Sequence, residues 1–282
     1  MDRRSFLASA AGASVIGLMA EAQTPNMTQT AASHNTALSL GVATYSVRDF
    51  YRHKAILMLK ELQPMGVVNL SVKDFHLPMT DTPAQLKAGV KAFTDAGFKI
   101  VAGGNVSMQK EEQLRPAFEY AKTCGLPVIV CIPTPETLPK VEALVKEFNI
   151  PVAIHNHGPE EKNFQSPYDV LKAIKNMDPR VGMCIDIGHT ERTGVDIPQA
   201  IADAGPRLLS MHVKDLANSK DRDSQVECGR GILPFRAIFT QLIKQGYKGS
   251  VDLEYEIHAE DPLPGMRESF AYLRGVLDGL KS

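Results

Sequence analysis

Four short runs of this 282-residue chain concentrate side chains that bind metals or move protons. They read Ala153-Ile154-His155-Asn156-His157-Gly158, Cys184-Ile185-Asp186-Ile187-Gly188-His189, Ser210-Met211-His212-Val213-Lys214-Asp215 and Val251-Asp252-Leu253-Glu254-Tyr255-Glu256. In each, an apolar stretch precedes the polar groups, which therefore stand at the far end of a strand. Two imidazoles and two carboxylates from four neighbouring strands can close around one divalent ion. Such a mixed nitrogen and oxygen set suits Mn, Co, Fe, Zn or Ni better than calcium. Asp186 with His189, then His212, then Glu254 are the leading candidates. Glu256 competes with Glu254, because a two-residue spacing puts both on one strand face. A lone strand histidine is ordinarily a hydrogen-bonded structural residue. Here six of the eight histidines (His76, His155, His157, His189, His212 and His258) fall at strand ends or in the loop just after, and that concentration favours a metal site.

A fifth run, Ser71-Val72-Lys73-Asp74-Phe75-His76-Leu77-Pro78, ends another candidate strand. Lys73 reads either as an acid or base in a closed site or as an ion-paired surface lysine. Glu254, Lys73 and His157 are the candidates for moving a proton. Lys214 and His76 are candidates for holding substrate.

These groups meet only if their strands are parallel and share one end. Eight β-rich runs, at 40–47, 68–73, 99–106, 127–132, 151–155, 181–187, 208–213 and 250–255, satisfy that requirement. Amphipathic segments at 83–96, 109–123, 135–148, 167–176, 197–204, 233–245 and 263–280 alternate with them. Most of the β-rich runs are continuously apolar, as parallel strands covered on both faces must be. Gly97, Gly125, Gly205 and Gly246 sit where helices should stop before a strand. The alternation implies right-handed βαβ units. An α/β fold, a single-domain (β/α)8 TIM barrel over 36–282, is the expectation, because roughly 245 residues is the usual size of such a barrel. No G-x-G-x-x-G follows the first run, which weighs against an open doubly wound sheet. In a TIM barrel the residues that do chemistry come from the C-terminal strand ends.

The first residues read as an export signal: an arginine pair in Asp2-Arg3-Arg4-Ser5-Phe6-Leu7, an apolar stretch over 8–20, and Ala20-Glu21-Ala22 as a cleavage site. The arginine pair points to the bacterial twin-arginine route and a periplasmic or otherwise exported protein, with a signal over 1–22 and a leader over 23–35. A net charge of −1 offers no electrostatic footprint for nucleic acid, nor for an anionic membrane once the signal is cleaved. Cys124, Cys131, Cys184 and Cys228 show no paired spacing and read as buried thiols rather than a disulfide framework.

The order Asp186-Ile187-Gly188-His189, His212-Val213-Lys214-Asp215, Gly229-Arg230-Gly231, Glu254 resembles the sugar phosphate isomerase/epimerase family. That family lies in the xylose isomerase-like TIM barrel superfamily, with type IV apurinic endonucleases, inosose dehydratases and ketose 3-epimerases. The resemblance covers the chain after the leader. It implies metal ligands at His155, Asp186, His212 and Glu254, one from each of strands five to eight, and a substrate-binding role for His189. His155 stands where the family has a glutamate. In the ketose 3-epimerases two metal-bound glutamates pass a proton between opposite faces of the substrate, and this replacement disfavours such a scheme. Many relatives also carry a glutamate at the end of strand two, where Lys73 stands here.

The chemistry implied is removal of a proton next to a carbonyl with a metal-stabilised enediolate. A metal-dependent sugar isomerase or epimerase acting on a small sugar or keto-sugar is the expectation, with a 3-keto-glycoside lyase or dehydratase as the alternative. An apurinic endonuclease would need an Asp-x-His before the glycine pair, where this chain has Asp223-Ser224-Gln225. A sugar-binding protein without catalysis is the remaining rival. Barrels of this family often associate, so a homo-oligomer is also expected, although nothing in the sequence marks an interface.

Overall fold

The computed structural model describes residues 38–281; the expected signal and leader, with positions 36, 37 and 282, lie outside the described residues. Eight parallel strands form a closed barrel: β1 (Ser39–Ala43), β2 (Asn69–Val72), β3 (Lys99–Met108), β4 (Ile129–Pro133), β5 (Val152–His155), β6 (Val181–Asp186), β7 (Leu208–Val213) and β8 (Ser250–Leu253). Each pairs with its neighbours in sequence, and β8 returns to β1 with Leu40 beside Val251. Around it run α1 (Arg52–Lys60), α2 (Pro83–Asp95), α3 (Glu111–Cys124), α4 (Leu138–Phe148), α5 (Pro167–Ile174), α6 (Ile187–Glu191), α7 (Ile197–Ala204), α8 (Phe235–Lys244) and α9 (Leu263–Asp278). This is the expected TIM barrel. No described helix is long and apolar enough to cross a membrane.

The sequence pattern places β7 and α7 at their observed bounds and the other strands within a few residues. Two differences have local causes. The first run ends as strand at Ala43, and 44–47 forms a 3-10 turn instead. Ser46 Oγ there donates to Ala43 O and accepts from Tyr255 N–H (both 2.9 Å), which ties the turn to the end of β8. The sixth run stops at Asp186, one residue early, because the Asp186 side chain accepts the His189 N–H (2.9 Å) and so starts α6. Helix α1, between β1 and β2, was not among the predicted segments.

The two-residue period of the strands separates two environments. Val42, Leu70, Ile154, Ile185, Met211 and Leu253 belong to the large core under the helices. Ala102, Val130, Ala153 and Cys184 form a separate small cluster, and these alternate positions face the lumen. The lumen is filled by small and polar side chains, where many TIM barrels stack branched aliphatic ones. Gly41 shows how tight it is: a Cβ there would stand 2.1 Å from Asp252 Oδ1 and 2.8 Å from Asn69 O. All four cysteines are buried and none is disulfide-bonded.

Gly41→Ala should therefore destabilise the barrel by about 1–3 kcal/mol, the usual effect of overpacking. Thermal unfolding should show a melting point lower by about 2–4 °C per kcal/mol. An unchanged melting point would mean that the lumen relaxes more freely than these contacts allow.

Candidate functional site

At the barrel mouth the lumen-facing series of five strands ends in charged or imidazole groups. Ser71 is followed two residues on by Lys73, Ala153 by His155, Cys184 by Asp186, His212 by Lys214 and Asp252 by Glu254. All ten are buried. Parallel pairing sets Asp186 beside His212 on neighbouring strands. One donor atom from each of His155, Asp186, His212 and Glu254 lies within 4.8 Å of the others. His155 Nε2 is 3.0 Å from His212 Nδ1 and 3.7 Å from Asp186 Oδ2, while His212 Nδ1 is 3.4 Å from Glu254 Oε2.

Each member is held by its surroundings. Asn156 Oδ1 accepts the Asp186 N–H (3.0 Å), and Asn156 Nδ2 donates to Thr190 Oγ1 (3.1 Å). Asp186 Oδ1 caps α6, which turns Oδ2 toward the cluster. Glu254 Oε1 pairs with Lys73 Nζ at 2.8 Å, and its Oε2 lies 3.2 Å from Lys214 Nζ. Lys214 also reaches Asp186 Oδ2 at 3.1 Å, outside hydrogen-bond angles, and it bonds Glu256. Asp186 Oδ2 and His212 Nε2 are buried without a hydrogen-bond partner. Asp186 Oδ2, an orphaned polar atom inside a nitrogen and oxygen quartet, fits a bound divalent ion, since buried polar groups otherwise find partners.

Burial lowers the pKa of His155 strongly, helped by the neighbouring imidazoles of His157 and His212. Burial likewise lowers His157, and takes His189 down to about 4. Burial opposes the charge of His212, but Cys184 and Glu254 outweigh it and raise the imidazole to about 10. For Glu254, burial pushes the carboxyl up, yet Lys73, His212 and Lys214 together hold it well below the usual range. Lys214 is held charged by Asp186, Glu254 and Glu256 against the effect of burial. The mouth thus combines the neutral imidazoles of His155, His157 and His189 with a protonated His212, ionised carboxylates and a locked ammonium.

A cavity of about 510 Å³ opens above this cluster, lined by Lys73, His155, His157, His189, Lys214 and Glu254 among others. The structure therefore brings together nine of the ten positions at issue: those six, Asp186, His212 and the half-buried Glu256. Glu254 sits inside the quartet and Glu256 on the outer side of Lys214, a distinction that strand periodicity alone leaves open. His76 is the exception. It is fully buried, with Nδ1 3.0 Å from Thr44 Oγ1 and Nε2 3.0 Å from Phe50 O, and it does not line the cavity. The chain turns directly after β2, with the His76 N–H donating to Lys73 O (3.1 Å), which carries the ring beneath the 44–50 loop. His258 lies outside the cavity as well.

Several cavity residues are not among the candidates read from the sequence, and three of them help to shape the site. Asn105, near the end of β3, presents a buried Oδ1 without a partner; the strand-end rule would have found it. Tyr45 comes from the unforeseen 3-10 turn. Gln225 arrives on a distant loop, where its Nε2 donates to Glu254 O (2.9 Å) and its Oε1 accepts the Glu256 N–H (3.0 Å). Asp215 secures that loop by accepting N–H groups from Leu216, Gly229, Gly231 and Leu233 at 2.8–3.1 Å. The glycines are needed there, since Gly229 has φ +97° and a Cβ on Gly231 would lie 2.2 Å from Asp215 Oδ1.

A profile of the xylose isomerase-like TIM barrel family matches residues 70–276. The chain belongs to that family. Among family relatives, a 3-dehydro-D-guloside 4-epimerase of Escherichia coli is 34% identical over 101 residues, 36% of each chain. An inosose dehydratase of Lactiplantibacillus plantarum is 24% identical over 135 residues, 42% of this chain and 43% of the relative. The matches thus span well under half of these curated relatives. The crystal structure of the IOLI protein with a bound zinc atom superposes with a TM-score of 0.67 at 16% identity, covering 84% of this chain and 98% of that one.

One pH dependence follows from the lumen beneath the site. Burial raises the Asp252 carboxyl to about 6, although Ser250 Oγ donates to it at 2.5 Å. Its folded pKa exceeds that of an unfolded aspartate, about 3.9, so stability is gained as pH falls from about 6 to about 4. Asp252→Asn should melt higher than the wild type at pH 8, and the gain should vanish near pH 4. A variant that melts lower at both pH values would show that the buried charge is not a burden.

Proposed function

We propose that this barrel is a metal-dependent enzyme that removes a proton next to the carbonyl of a sugar or keto-sugar and so isomerises or epimerises it. The observation that carries the reading is the convergence of His155, Asp186, His212 and Glu254 beneath a cavity that also presents His157, His189 and two lysines. An epimerase of a 3-dehydro sugar and an inosose dehydratase, both relatives acting on ketones, support it. The zinc in the IOLI structure supports the use of a divalent ion.

The four quartet residues would hold the ion, which supplies Lewis acidity for the charge that develops on the carbonyl oxygen. His157 is suited to accept the proton. Its Nδ1 lies 3.2 Å from His155 O, its pKa is lowered, and it stands outside the quartet. Glu254 is a weak base while Lys73, Lys214 and His212 hold its charge, so its part is electrostatic. Lys73, across the barrel from β5, is placed to return a proton or to hydrogen-bond a developing oxyanion. His189 and Asn105 can orient hydroxyls. A second reading, a lyase or dehydratase, is favoured by His155. Without a second carboxylate base, departure of a leaving group needs less of the chain than return of a proton to the opposite face.

Metal-free protein should take up about one equivalent of Mn(II), and His155→Ala and Asp186→Ala should each lose it. Because His212 is raised to about 10, the ion must displace a proton at neutral pH. Apparent affinity should rise about tenfold per pH unit between 6 and 8, measurable by calorimetry. A pH-independent affinity would remove His212 from the ligand set.

In D2O, the loaded enzyme should exchange deuterium into 3-keto-glucosides or ketoses at the carbon next to the carbonyl. Release of the aglycone would identify the lyase. His157→Asn should lose about 10²–10⁴-fold in kcat while keeping the metal. No exchange with any of Mn, Co, Fe, Zn or Ni would leave a binding protein. We also propose export through the twin-arginine signal at 1–22, which would bring the enzyme to oxidised sugars and glycosides rather than to phosphorylated sugars. Replacing Arg3 and Arg4 by lysine should trap the protein in the cytoplasm.

A further inference from the structure

Cys184 lies one layer below Asp186 on the same inward face of β6, since the two are separated by a single strand period. The pairing of β5 with β6 sets it directly beside His155. Its side chain is buried with Ala102, Val130 and Ala153 in the lumen. One donor atom from each of His155, Cys184 and His212 falls within 4.8 Å of the others. This second set shares both imidazoles with the quartet but replaces the two carboxylates with one sulfur.

Two observations point to a ligand there. His212 is fully buried, yet its Nε2 has no hydrogen-bond partner. The thiol of Cys184 lies against that ring, with its Sγ within 4.8 Å of a donor nitrogen of His212 and one of His155. The carboxylate half of the quartet, by contrast, already holds a cation, because Lys214 Nζ stands 3.1 Å from Asp186 Oδ2 and 3.2 Å from Glu254 Oε2. An ion bound by both carboxylates must share them with that ammonium. His155 and His212 stand farther from those carboxylates, at 3.7 Å from Asp186 Oδ2 and 3.4 Å from Glu254 Oε2.

We propose that His155, Cys184 and His212 form a second, softer metal site that takes a thiophilic ion such as zinc or cadmium. Thiolate and imidazole donors select such ions, whereas carboxylates suit harder ones such as manganese. The thiol proton and one imidazole proton of His212 pass to solvent as the sulfur–metal and nitrogen–metal bonds form. The two sets share both imidazoles, and the softness of the ion decides which layer of the lumen it fills. This proposal does not depend on the reaction assigned to the cavity above.

The test is titration of the metal-free, full-length protein with Cd(II), followed by ultraviolet absorption. A sulfur-to-cadmium charge-transfer band should grow to about one equivalent. Zn(II) should displace the cadmium, and Mn(II) should not. Asp186→Ala should keep the band. Cys184→Ala should abolish it and weaken Cd(II) binding beyond the about 10- to 100-fold that an outer-shell partner of a ligand is worth. No band in the wild type, or a band that survives in Cys184→Ala, overturns the proposal. Should Cys184→Ala fail to fold, cadmium NMR of the wild type decides. A strongly deshielded resonance, as sulfur ligation gives, is expected, and one in the range of purely nitrogen and oxygen ligands overturns it.

Discussion

Two ionised carboxylates, Asp186 and Glu254, are buried at the mouth of the barrel, and much of the surrounding structure answers that constraint. An unpaired buried carboxylate costs several kcal/mol, more than most single contacts return. Lys73 and Lys214 meet the charge from opposite sides of Glu254, and Lys214 extends to Asp186 and Glu256. Asn156 and Thr190 fix the backbone from which Asp186 projects. Imidazoles of low pKa fill the remaining wall and add no positive charge at neutral pH. The result is a dense polar cluster in which two lysines and His212 balance the carboxylates and Asp186 Oδ2 is left without a hydrogen bond.

The lumen below makes this cluster feasible. A barrel packed with branched aliphatic layers would press low-dielectric surface against the carboxylates. Here glycine, alanine, serine and asparagine leave room for Asp252 and Cys184, so polar character continues a layer deeper. The outward strand residues retain the large side chains, and the core beneath the helices is continuous. Stability is thereby carried outside the barrel wall, while the inside is free to hold chemistry.

Loops complete the arrangement. The Asp215 carboxylate gathers the Gly229-Arg230-Gly231 turn with backbone hydrogen bonds, and the same loop delivers Gln225 to the backbone of Glu254 and Glu256. The part of the motif that looks most like a signature is therefore scaffolding: it aims the chain after β8 and touches no donor atom of the quartet. The same holds for His76, whose ring bridges Thr44 and Phe50, while Thr44 Oγ1 also accepts the Lys73 N–H.

The sequence by itself determined the number of strands, their order and the end of the barrel that carries the chemistry. Continuous apolar runs punctuated by glycine admit few alternatives, and parallel connections leave all the strand ends on one side. It also determined most of the site, because a residue's place at a strand end follows from a period of two. Tertiary structure decided the rest. Whether Glu254 or Glu256 enters the quartet depends on how the chain leaves β8 under the grip of Gln225, from a loop about thirty positions away. Whether His76 meets substrate depends on a turn held by Thr44. The closeness of Cys184 to two imidazoles depends on the stagger of three neighbouring strands. Such relations are set by register and loop closure between distant segments, and local residue order does not encode them.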